Sequence, residues 1–134
     1  CSSHLIHKKW PFYNDLIRLI KNNYDSEYKI ITAPGPNETN DAKNIHAKII
    51  LCEEKTLDIF QLASLIKDSS FVVANDTGPA HIAAHLGVKG LALFGKHTTA
   101  YKVSIERKNF KVIQVEDLNN LGAEKVFKRL VENL

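Results

Sequence analysis

Short β-prone runs alternate with amphipathic stretches along the chain, and this alternation limits the fold more than any other feature. Residues 28–33, 48–52, 71–74, 88–94 and 110–115 read as strands, with 48–52 and 88–94 apolar enough to be buried. Between them lie helical patterns. Pro11 opens one whose face carries Phe12, Leu16, Leu19 and Ile20, and residues 37–44 suggest a short polar helix. Thr56 is placed to cap a helix with a stripe of Leu57, Phe60, Leu62, Ala63, Leu65 and Ile66. Residues 80–86 predict a small-residue helix stopped by Gly87, and residues 123–133 a closing amphipathic one. Strands spaced by helices in this way indicate βαβ units, a parallel sheet, and helices on both faces: a Rossmann-like three-layer α/β domain. With 134 residues, 44% hydrophobic and 25% charged, the chain has material for one such domain, spanning 1–134. A domain of this kind normally opens on a strand. Here Cys-Ser-Ser-His-Leu leads into a helix, so the chain is expected to begin just after a first strand.

In open parallel sheets, ligands bind beyond the carboxyl ends of the strands. The loops after Ala33, Ala74 and Phe94 are therefore expected along one rim. The net charge of +3 is spread along the chain, which gives no basic patch for nucleic acid but suits an anionic ligand or a weak contact with an acidic membrane surface. No apolar run reaches the roughly 20 residues of a membrane span, and the N-terminus lacks the order of a signal peptide. Cys1 and Cys52 are read as reduced thiols, and the protein as cytoplasmic.

The segment richest in chemistry is Asn75-Asp76-Thr77-Gly78-Pro79-Ala80-His81-Ile82-Ala83-Ala84, directly after the 71–74 strand. Gly78 permits close backbone approach, and Pro79 suits the first helical turn, where no amide donor is required. The remaining amides at the helix start, with the positive end of its dipole, suit phosphate oxygens. Thr77 adds a hydroxyl. Asp76 is a poor phosphate partner and better suited to a sugar hydroxyl or to orienting the loop. An ordinary Asp/Thr cap with a tight turn accounts for the same residues equally well.

This segment, followed by Ala92-Leu93-Phe94-Gly95, resembles the signature of the family 9 glycosyltransferases, the ADP-heptose:lipopolysaccharide heptosyltransferases. Lys8-Lys9-Trp10-Pro11 is similar to the family's Lys-x-Trp-Pro box. Pro34-Gly35-Pro36-Asn37-Glu38 is similar to its Gly-x-x-x-Glu-type loop, and residues 57–75 to its helix-and-strand approach to the Asp-x-Gly-Pro motif. The resemblance covers nearly the whole chain. It implies a GT-B architecture of two Rossmann-like halves, of which this chain is the C-terminal, donor-binding one. The acceptor-binding half, with the base that activates the acceptor hydroxyl, is expected to be absent.

Carried over by position, the resemblance puts Lys8 on the diphosphate of an ADP-sugar, with Ser2 or Ser3 adding donors. Thr77, Gly78 and Pro79 form the phosphate loop, Asp76 binds a hydroxyl of the transferred sugar, and Glu38 holds the ribose. His81 is expected to pack near the loop and hydrogen-bond its backbone; Trp10 is expected in the core. The family's Pro-Thr-Asp-Pro-like continuation after Gly95 is replaced by Lys96-His97-Thr98-Thr99, where Lys96 is in reach of a phosphate.

His81 and His85 have helical metal-ligand spacing, but neither an intervening Glu nor a third ligand accompanies them, and no Asp-x-Asp pair is present. A metal-independent enzyme without a cofactor is expected. The P-loop, the dinucleotide fingerprint and the Gly-x-Ser-x-Gly elbow are all missing. The resulting expectation is transfer of a heptose or related sugar from an ADP-sugar to a lipopolysaccharide core acceptor, at the inner face of the inner membrane. The changed 96–99 segment favours the alternative of a non-catalytic nucleotide-binding module; an epimerase of GT-B type is a third option.

Overall fold

Strand β4 (Gly90–Phe94) lies at the centre of a three-stranded parallel sheet, between β3 (Val72–Asn75) and β5 (Phe110–Gln114), and every one of its residues is buried. This is a computed structural model, and it describes residues 10–25, 27–96 and 105–134. Because side chains alternate along a strand, β4 feeds two separate cores. Leu91 and Leu93 face one side, where Trp10, Leu16, Ile113, Val126 and Leu130 pack. Ala92 and Phe94 face the other, with Phe110, Val112, Ile66 and the alanines of a later helix. A strand buried on both faces has no polar side to write into its sequence, which is why Gly-Leu-Ala-Leu-Phe is continuously apolar.

Helices α1 (Tyr13–Tyr24) and α5 (Ala123–Asn133) cover the first face and pack on each other. Helices α3 (Ile59–Lys67) and α4 (Gly78–His85) cover the second. The three-layer parallel architecture expected from the alternation is therefore present. The indole N–H of Trp10 donates to the carbonyl of Leu121 at 2.7 Å, so this residue is buried with its polar atom satisfied. Helix α4 meets the sheet through Ala80, Ala83 and Ala84, whose small side chains allow its backbone close to β3 and β4. Gly87, at φ +72°, ends it in the left-handed conformation that glycine adopts without a Cβ penalty.

The earlier part of the chain is less regular than its sequence suggests. The 28–33 run narrows to β1 (Ile31–Thr32), followed by the short helix α2 (Thr39–Ala42) and β2 (Lys48–Ile49). β1 and β2 pair in parallel as a separate two-stranded sheet. The 48–52 run is not a buried strand: Lys48 and Leu51 are exposed, and Cys52-Glu53-Glu54-Lys55 turns back on itself with both glutamates at positive φ. Cys52 is a free thiol that accepts from Gln61 Nε2 at 3.1 Å.

Thr56 is not the cap of the following helix. Asp58 is: its carboxylate accepts from the Gln61 amide while the Gln61 side chain accepts from the Asp58 amide. This reciprocal box satisfies two otherwise unpaired donors and outcompetes a threonine two residues earlier. The apolar stripe of α3 is also narrower than expected, since Phe60 is 81% exposed and only Ile66 is fully buried.

Candidate functional site

Strand β3 ends at Asn75, and the chain crosses Asp76 and Thr77 before α4 begins at Gly78. β3 and β4 run parallel in register, Asn75 opposite Leu93, so the loops that leave them emerge at the same end of the sheet. The 75–78 loop therefore lies beside Gly95 and the exposed Lys96 at the end of β4. Here the sequence expectation of a shared rim holds for two of its three loops by direct pairing. The third loop leaves the carboxyl end of β1 in the smaller sheet.

Within the loop, position and hydrogen bonding separate the roles. Thr77 occupies the N-cap position in extended conformation, yet its side chain makes no cap hydrogen bond. Its hydroxyl turns back to donate to the Asn75 carbonyl at 3.3 Å. An ordinary threonine cap is thus ruled out, and because Pro79 has no amide and Ala80 and His81 donate to the Thr77 carbonyl, the Gly78 amide is the donor of the first turn that has no bond among the described residues. Pro79 falls in the first turn, where its missing amide costs no helical bond.

Gly78 is exposed. A Cβ built there would meet nothing within 4 Å, and its backbone does not require a left-handed conformation. Nothing in the fold demands glycine at this position. A bare backbone at the mouth of a helix dipole instead leaves room for a group from outside to approach the Gly78 amide.

Asp76 is 8% exposed, and its carboxylate lies 3.9 Å from Nε2 of the half-exposed His81. The imidazole thus faces a carboxylate rather than the loop backbone that sequence reasoning assigned to it: one turn into α4, position 81 points back over residue 76. His85 is exposed one turn further on.

Behind the loop sits a contact that the sequence reading missed. The Tyr13 hydroxyl, at the start of α1, donates to Oδ1 of the fully buried Asn75 at 2.6 Å. Burial pushes the Tyr13 phenol further up from its ordinary value, which keeps it a neutral donor. Nδ2 of Asn75 is buried without a hydrogen-bond partner among the described residues; a buried donor left unpaired costs about 1–3 kcal/mol in a folded protein. The signal available in the sequence was an aromatic hydroxyl three residues past a buried tryptophan, a position that turns toward the sheet.

Glu38 closes the loop after β1. Its Oε2 accepts from the Gly35 amide at 3.0 Å, and its own amide donates to the Gly35 carbonyl. Together with Thr32, Pro34, Asp41 and Ile45 it lines a shallow depression beyond the carboxyl end of β1. Asp76, Thr77, Gly78, Pro79 and His81 are thus brought together at one loop and the start of the helix that follows it, with Lys96 on the neighbouring strand end and Glu38 in a separate depression. Lys8, Ser2 and Ser3 lie outside the described residues. Among the described residues, no three His, Cys, Asp or Glu side chains group as a metal site, and no helix is long and apolar enough to cross a membrane.

The fold is matched in known proteins. The E. coli heptosyltransferase WaaC with ADP-2-deoxy-2-fluoro heptose superposes with a TM-score of 0.82 at 24% identity, over 99% of this chain and 41% of that one. WaaC with ADP gives 0.81 at 23% identity, over 99% and 42%. The E. coli ADP-heptose lps heptosyltransferase II gives 0.72 at 21% identity, over 98% and 44%. The chain thus spans less than half the length of these solved structures. No curated protein sequence matches it. The model of glycosyltransferase family 9 (heptosyltransferase) matches residues 1–130, and the chain belongs to that family.

Proposed function

We propose that this chain is the donor-binding, C-terminal half of a GT-B glycosyltransferase that moves a heptose or a related sugar from an ADP-sugar to a lipopolysaccharide core acceptor. The observation that carries the reading is the 76–78 loop: a buried carboxylate followed by an uncapped, bare-backbone helix start at the carboxyl end of β3. The Gly78 amide, at the positive end of the helix dipole, suits a phosphate oxygen, and the carboxylate beside it suits a sugar hydroxyl, so the loop fits a sugar diphosphate. Glu38, with Oε2 already engaged by Gly35, has a second oxygen for a ribose hydroxyl. The match to WaaC with ADP and with an ADP-sugar analogue supports the choice of nucleotide.

In this reading the acceptor oxygen displaces the diphosphate at the anomeric carbon with inversion. The base that activates it belongs to the acceptor-binding half, so these 134 residues alone do not transfer sugar. Lys8, Lys96 and the Gly78 amide at the start of α4 stabilise the charge that develops on the leaving diphosphate. These cationic and amide donors take the place a divalent ion would fill, so the reaction runs without metal or cofactor. The protein acts in the cytoplasm, at the inner face of the membrane where its acceptor is assembled.

Isothermal titration with ADP, UDP and GDP, each with and without EDTA, tests this. The expected result is selective ADP binding that EDTA does not change. Preference for UDP or GDP moves the donor away from ADP-heptose, and a large loss with EDTA overturns metal independence. A second expectation concerns Gly78. Gly78→Ala adds a methyl group into open space, so the melting temperature is expected to change by no more than about 2 °C. The same methyl group obstructs ligand approach, and ADP affinity is expected to fall about tenfold. Unchanged affinity removes Gly78 from the phosphate site.

A further inference from the structure

The Asn75 carboxamide is held from behind by a helix that takes no other part in the loop. We propose that Tyr13 is a positioning residue: by gripping Asn75, its hydroxyl fixes where β3 ends and the 76–78 loop begins, and so sets affinity for the diphosphate of the ligand rather than for its nucleoside. The inference rests on the nucleotide-sugar reading of the loop.

Three observations carry it. Val73 and Asn75 lie on the same face of β3, the face against which α1 packs, so the last side chain of the strand is turned toward Tyr13 and away from α4. Asn75 is then tied in two directions. Its side-chain oxygen accepts from Tyr13 at 2.6 Å, and its main-chain oxygen accepts from the Thr77 hydroxyl at 3.3 Å, so the start of the loop is referenced to α1 through a single residue. Tyr13 is itself held: its ring packs edge-on against Trp10 at 5.0 Å between centroids, and the Trp10 indole is anchored on the Leu121 carbonyl.

The contact also gives a reason for a buried carboxamide whose Nδ2 has no partner among the described residues. Valine or leucine would fill the space at Asn75 without stranding Nδ2, but neither could receive the Tyr13 hydroxyl. The polar pair orients the loop where an apolar pair would only fill volume. Glu38 and its depression belong to the other sheet and do not touch this pair, so nucleoside binding is independent of it.

The test is Tyr13→Phe in the intact protein, with titration of ADP and of adenosine and a thermal melt of each variant. Wild-type protein is expected to bind both. The variant is expected to remain folded, to bind adenosine as wild type does, and to bind ADP about tenfold more weakly, as loss of one buried orienting hydrogen bond implies. Equal weakening of ADP and adenosine means that Tyr13 only supports the fold, and no change in either means that the hydroxyl is idle; both overturn the proposal. If the wild type binds adenosine and ADP with equal affinity, the loop is not a diphosphate site. If it binds neither, the nucleotide reading fails, and the proposal fails with it.

Discussion

Asp76→Asn in the intact enzyme is expected to reduce kcat/KM for sugar transfer by about 10²–10³-fold while leaving the protein folded. The carboxylate is buried at the end of β3 and faces His81 across 3.9 Å. Asparagine has nearly the same shape, so packing around the site is preserved. What changes is charge and hydrogen-bond polarity. In the proposed role an anion that accepts from a sugar hydroxyl is replaced by a group that presents an N–H donor on one side, and the imidazole loses its anionic neighbour. Steady-state kinetics with ADP-heptose and a lipopolysaccharide core acceptor check the outcome, alongside a thermal melt. Activity within a few-fold of wild type would take Asp76 out of the site.

The largest expected effect on stability comes from the centre of the sheet, far from any ligand. Gly90 opposes Val72 on one side and Phe110 on the other. A Cβ at Gly90 would lie 2.4 Å from the Val72 carbonyl oxygen and 2.6 Å from the Phe110 ring. The ring has some freedom to move, but the carbonyl belongs to the hydrogen-bonded ladder and has little. Gly90→Ala is therefore expected to destabilise by about 3 kcal/mol, at the upper end for overpacking. That is a large part of the 5–15 kcal/mol typical of a domain, and lowers Tm by roughly 10–15 °C. A calorimetric melt within about 3 °C of wild type would show that the strand relaxes around the methyl group.

Gly90 also shows why some of the fold was legible in the sequence and some was not. Runs such as Gly-Leu-Ala-Leu-Phe are apolar at every position because both faces are buried, and such a run in a chain this short admits few alternatives. The 48–52 run has similar composition but sits next to a turn and at the margin of a two-stranded sheet, where burial depends on neighbours that local composition does not report. Helix ends followed the same division. Gly87 and the 123–133 helix are set by local chemistry, whereas Thr56 and Asp58 are competing caps whose outcome depends on whether Gln61 completes the box.

The site divides in the same way. Asp76, Thr77 and Gly78 are contiguous, so one motif displays them together. Tyr13 and Asn75 are 62 residues apart, and their bond follows from which face of β3 meets α1. Periodicity places each of them on an element but does not reveal that the two elements touch. The orientation of His81 was equally hidden, because Asp76 approaches it only once the loop has folded over the first turn of α4.

The bond from Trp10 to Leu121 spans 111 residues, and it bears on the order in which the domain is assembled. The apolar bed of α1 is made largely by Val126, Leu130 and the strands of the second sheet, and its polar anchor is a carbonyl just before α5. The seating of α1 is therefore complete only once a segment 111 residues further along the chain is in place. The βαβ core of β3, α4 and β4 has short-range contacts and closes small loops, whereas the bond from Trp10 to Leu121 closes one of 111 residues. In that order of closure the sheet and the 76–78 loop form first, and the Tyr13 hydroxyl reaches Asn75 after them.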